Sequence, residues 1–60
     1  MTTFAEEVHR EVFGAPLGSY RWLDGSRWRK AVVGGRDLWV EDGSGRTLTD
    51  LAMWEATVHA

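Results

Sequence analysis

The sequence predicts a small α+β single domain in α-β-β-β-α order: a three-stranded antiparallel meander with helices packed on one face. Three observations carry that reading. A capped amphipathic pattern opens the chain, two hairpin dipeptides punctuate its middle third, and a second capped apolar pattern closes it. Sixty residues make one domain, here 1–60, and no repeat, linker or low-complexity segment divides it.

Thr3-Phe4-Ala5-Glu6 fits a capping box, in which the threonine hydroxyl and the glutamate carboxylate satisfy reciprocal backbone donors. Phe4, Val8 and Val12 then recur at i, i+4 and i+8 with Ala5 beside them, an apolar stripe along one helix face. Glu6 stands four residues ahead of Arg10, a favourable pairing. Gly14 offers a left-handed stop and Pro16 follows it, so a helix is expected over residues 3–13.

Strand chemistry begins at Tyr20-Arg21-Trp22-Leu23, which runs into the turn dipeptide Asp24-Gly25. Arg27 to Val33 is β-branched and aromatic enough for a second strand and ends at Gly34-Gly35. Leu38-Trp39-Val40 makes the third, before the loop Asp42-Gly43-Ser44-Gly45. Arg46-Thr47-Leu48 offers a short fourth strand as a weaker alternative.

The last helix starts with Thr49 or Thr47 as N-cap, with Asp50 in the first turn where the helix dipole favours it. Leu48 before the cap and Met53 at N4 match a hydrophobic staple. Leu51, Trp54 and Val58 form one stripe for the core. Ala52, Met53, Ala56 and Ala60 form a smaller one on the other side, and Ala52, Met53 and Ala56 are its candidate contacts with a second copy.

Side chains alternate along a strand, so two-residue hairpin loops sort the sheet into two faces. One gathers Tyr20, Trp22, Ala31, Val33, Leu38 and Val40, with Arg27 and Arg29 at its margin; being nearly all apolar, it is expected to carry the helices. The other gathers Arg21, Leu23, Trp28, Lys30, Val32, Asp37, Trp39 and Glu41. Two indoles within cation–π reach of Lys30 on an exposed face would mark a partner site, with Trp28, Trp39, Arg21 and Lys30 as its candidate residues. The alternative is one helix on each face, with Trp28 or Trp39 in the core.

Net charge is −2, but its distribution is uneven. Residues 20–36 carry +4, between a first third at −2 and a last third at −4. A basic middle keeps nucleic-acid binding open, with Arg21, Arg27, Arg29, Lys30 and Arg36 meeting phosphates. Six of the seven basic residues are Arg, a bias that fits a GC-rich actinobacterial or phage genome as codon usage alone.

Catalytic chemistry finds little support. The absence of cysteine removes disulfides, thiolate zinc and a Cys nucleophile together. His9 and His59 have no third residue at metal-ligand spacing, so neither metal nor cofactor is expected. Gly43-Ser44-Gly45-Arg46-Thr47 lacks both phosphate-loop fingerprints, and Ser19, Ser26 and Ser44 have no neighbouring base. Asp37, Glu41 and Asp42 would need a buried pocket that so small a domain has little room for.

Leu51-Ala52-Met53-Trp54, the longest apolar run, is far too short to cross a bilayer, and residues 1–7 carry no signal-peptide pattern, so a cytoplasmic protein is expected. Three function classes follow in order: a non-enzymatic regulatory or inhibitory module that binds a protein, a nucleic-acid-binding sheet, and a structural homo-oligomer.

Overall fold

In the computed structural model, which describes residues 2–60, the Thr3 hydroxyl accepts a hydrogen bond from the Glu6 backbone N–H at 3.1 Å. That cap starts α1 (Phe4–Phe13), which buries Val8 and Val12 and leaves Phe4 in solvent. The helix does not end in the expected left-handed glycine. Gly14 caps it at φ −89°, and its N–H bonds the Arg10 carbonyl at 3.0 Å. Glycine is needed there for a different reason: a Cβ would come within 2.7 Å of the Arg10 carbonyl oxygen.

Four strands follow: β1 (Tyr20–Leu23), β2 (Ser26–Val33), β3 (Arg36–Glu41) and β4 (Thr47–Leu48). All pairings are antiparallel, in the order β1-β2-β3-β4, so the short fourth strand forms. Asp24 and Gly25 (φ 50° and 78°) link Leu23 to Ser26, and Gly34 and Gly35 (φ 59° and 79°) link Val33 to Arg36. Positive φ at both central positions matches the right-handed twist of the flanking strands, and a two-residue loop preserves the facing of every side chain. The chain closes with α2 (Asp50–Val58), whose N-cap Thr49 accepts from the Ala52 N–H at 3.1 Å. Among the described residues no helix is long and apolar enough to cross a membrane.

The register sorts the sheet into the two expected faces, but the helices lie on the other one. Trp28 and Trp39, 4% and 1% exposed, form the core with Val8, Val12 and Met53. Tyr20 and Trp22, 54% and 67% exposed, face outward. Position outweighs the tally of apolar residues. The rings at 28 and 39 stand on the central strands, where two short helices can cover them, whereas those at 20 and 22 stand on an edge. Each indole also offers about 150–250 Å² of surface, more than the aliphatic residues of the opposite face.

The expected core stripe of α2 holds in part: Trp54 and Val58 pack against the core, but Leu51 and Met53 exchange places. Met53 is fully buried while Leu51 faces solvent. Met53 lies in line with Asp50 at i−3 and Thr57 at i+4, so the inward stripe is part polar and the outward one part apolar. Trp54, half-buried, donates its indole N–H to the Ala5 carbonyl at 2.8 Å and holds α2 against α1.

Candidate functional site: the open face of the sheet

Of the charges interleaved with the buried indoles, Lys30, Arg21 and Glu41 find partners, while Asp37 stays exposed. Lys30, 4% exposed, donates from Nζ to the Val12 carbonyl and to Asp50 Oδ2, each at 3.3 Å. The Val12 carbonyl is one of those the last turn of α1 leaves unsatisfied, and Asp50 is the first residue of α2. The ammonium therefore sits at the negative end of one helix dipole and the carboxylate at the positive end of the other. Asp50 Oδ1 also accepts the Trp39 indole N–H at 2.9 Å.

At the sheet margins, Arg21 donates to Glu11 at 3.2 Å. Arg46 holds Glu41 through two bonds of 2.8 and 2.9 Å, and the Ser44 hydroxyl donates to the same carboxylate. These bonds, led by those from Arg46, lower the Glu41 pKa from an ordinary 4.5 to about 2. Among the described residues, the Trp28 indole N–H and the Arg21 Nε are buried without a partner.

These contacts revise the candidate partner site. Trp28, Trp39, Arg21 and Lys30 do come together, but beneath the helices, as core and ion pairs. Of the five basic residues considered for phosphate contacts, Arg21 and Lys30 turn inward, whereas Arg27, Arg29 and Arg36 are exposed on the other face. Of the proposed self-association stripe, Met53 is core, and Ala52 and Ala56 are half-buried.

What remains outside is a sheet face that no helix covers. Ala31, Leu38 and Val40 lie half-buried at its centre, with Val33, 41% exposed, at the second turn and Tyr20 and Trp22 along the β1 edge. The Arg27 guanidinium lies 4.5 Å from the centroid of the Tyr20 ring and bonds Asp42 at 2.7 Å, which raises its pKa further. Arg29 stands opposite Tyr20 and Arg36 opposite Val33. Three arginines against one aspartate leave this face at +2, while the rest of the chain, with four basic and eight acidic residues, carries −4. Sequence reasoning had Tyr20 and Trp22 as core; their place on the outermost strand was the signal that they stay outside.

Two surface grooves accompany the face. One of about 400 Å³ lies where the C-terminal end of α1 meets β1, lined by Arg10, Glu11, Ala15, Pro16, Tyr20 and Arg21 among others. Another of about 380 Å³ runs between the helices, beside His9 and Trp54. Neither lining pairs a nucleophile with a base, and among the described residues no three His, Asp or Glu side chains cluster to hold a metal ion.

Fold and face together define the chain as a small α+β domain with one face of its sheet covered and the other open. Set against known protein families, curated proteins and solved structures, it matches none.

Proposed function

We propose that this chain is a small non-enzymatic module that binds a protein partner on the open face of its sheet. One observation carries the reading. Tyr20, Trp22 and Val33, the three of them 41–67% exposed, share a face with three arginines while the helices cover the opposite side. Contiguous exposed apolar surface rimmed by polar groups marks interaction sites. Trp, Tyr and Arg are the residues most enriched among binding hot spots. A regulatory or inhibitory role fits a domain whose conspicuous surface is a binding face.

A photo-crosslinking amino acid at position 33, on the open face, tests this against the same group at position 51, on the outer side of α2. Crosslinks to another protein from position 33 and not from 51 support the reading. Equal crosslinking from both positions, or none from 33, refutes it.

A second reading rests on Arg27, Arg29 and Arg36 sharing that face: contact with the phosphates of a nucleic acid. One feature weighs against it: the exposed rings sit on an edge strand rather than under a path of bases. Binding to generic single-stranded DNA that weakens steeply with salt would favour it over the protein reading.

A further inference from the structure

We infer that the partner's docking segment is an extended acidic chain that joins the free edge of β1 as a fifth strand; this rests on the reading of the open face as a protein-binding surface. β1 has one neighbour, β2. In a hairpin with a two-residue loop, the residues flanking the loop exchange both backbone bonds, and bonded pairs then alternate with non-bonded ones. Leu23 and Ser26 flank the loop, so Arg21 and Trp28 form the next bonded pair. The bond from Lys30 N–H to the Ser19 carbonyl at 2.9 Å keeps the same phase.

Tyr20 and Trp22 consequently aim their N–H and C=O groups away from β2. Among the described residues, no turn, loop or cap takes those N–H groups. Proteins normally blunt such an edge with proline, a bulge or an exposed charge. Residues 20–23 hold no proline, and their one charge, Arg21, is turned under the sheet to Glu11.

Charge selects the occupant. Side chains of an added strand alternate between the two sides of the sheet. On the open side they meet Arg27, whose guanidinium reaches over Tyr20 towards this edge, and Arg29 behind it. On the other side they enter the groove of about 400 Å³ beside Arg10, Arg21 and Glu11. Both sides are net positive, which favours acidic side chains in either phase. A second copy of this chain would set Arg21 and the open-face arginines against their own kind, so self-pairing is disfavoured. A nucleic acid has no peptide ladder to offer.

The test uses the whole folded chain, immobilised and panned with a randomised dodecapeptide display library. Enrichment of acidic, proline-poor sequences with period-2 alternation is expected, and Arg27→Glu should shift the selected sequences away from acidic residues. The 60-residue chain is short enough for chemical synthesis with an N-methyl group on the Trp22 amide. That change blocks the edge while leaving the indole and the β1–β2 ladder in place, and it should weaken the selected peptides at least tenfold with the far-UV spectrum unchanged. Val33→Glu separates the two claims. Peptides lost on Val33→Glu but indifferent to N-methylation would overturn strand addition and leave the open face standing. Peptides indifferent to both would sink the open face as well. Enrichment of basic or helix-periodic sequences, no enrichment, or a dimer in sedimentation that N-methylation dissolves would each overturn the inference.

Discussion

Trp28 and Trp39 occupy the same core yet differ in one atom's surroundings, and phenylalanine at each position isolates that difference. Both substitutions remove the pyrrole ring from a buried site, so their packing losses are similar. At position 39 the change also deletes a 2.9 Å hydrogen bond to a carboxylate, and hydrogen bonds to charged groups contribute about 1.5–3 kcal/mol. The Asp50 side chain is 22% exposed, so the lower half of that range applies. At position 28 the change instead removes a buried donor with no partner, relieving a desolvation penalty of about 1–3 kcal/mol.

Trp39→Phe should therefore be less stable than Trp28→Phe by about 3 kcal/mol. A chain of this size commands about 3–9 kcal/mol in all, so the first variant approaches unfolding while the second stays folded. Urea unfolding followed by far-UV circular dichroism at pH 7 measures both. Coincident midpoints, or a lower midpoint for Trp28→Phe, would refute the account of how these indoles are held.

Removing Asp50 as Asp50→Ala leaves the Lys30 ammonium buried beside a single carbonyl and should destabilise by about 3 kcal/mol. Lys30→Met should cost about 1 kcal/mol, because Asp50 keeps the Trp39 donor and some water, and the double variant should recover part of the Asp50→Ala loss in the same urea assay. The Glu41 carboxyl has its pKa lowered in the folded state to about 2, so the stability it contributes is complete above pH 4.5 and lost as pH falls towards 2. Glu41→Gln should flatten the acid limb of a thermal-stability profile in that window and leave the slope above pH 5 unchanged. Gly14→Ala, usually a gain near a helix end, should instead cost about 1 kcal/mol because its Cβ meets the Arg10 carbonyl; a raised melting temperature would contradict that contact.

Much of this architecture was legible from local chemistry. The Thr3 and Thr49 caps, the two glycine-bearing turns and the division of the sheet into two faces each depend on a few neighbouring residues, and each stands, with the Thr3 box formed, among the described residues, from its hydroxyl side alone. Which face lies inside is not a local property. It depends on where helices of ten and nine residues can reach, and on whether a charge finds a distant partner. Lys30 looked like a surface residue because Asp50 and the Val12 carbonyl, its partners, are 20 and 18 residues away. Met53 looked peripheral because the polar residues aligned with it on α2, Asp50 and Thr57, are themselves drawn inward. The candidate partner site inherited the first of these errors and the candidate self-association stripe the second, so the right pair of sheet faces was found with the wrong one exposed. The short β4 lies between the tight Glu41–Arg46 loop, where Gly45 N–H returns to the Glu41 carbonyl at 3.0 Å, and Thr49, which caps α2 and ends the pairing after Leu48.

Because each strand pairs with its successor, the meander assembles like a zip, every closure spanning few residues and losing little chain entropy. The clasp between Trp54 and Ala5 is the exception, joining opposite ends of the sequence. Sheet pairing is thereby local, whereas sealing the interior requires the first helix to meet the last.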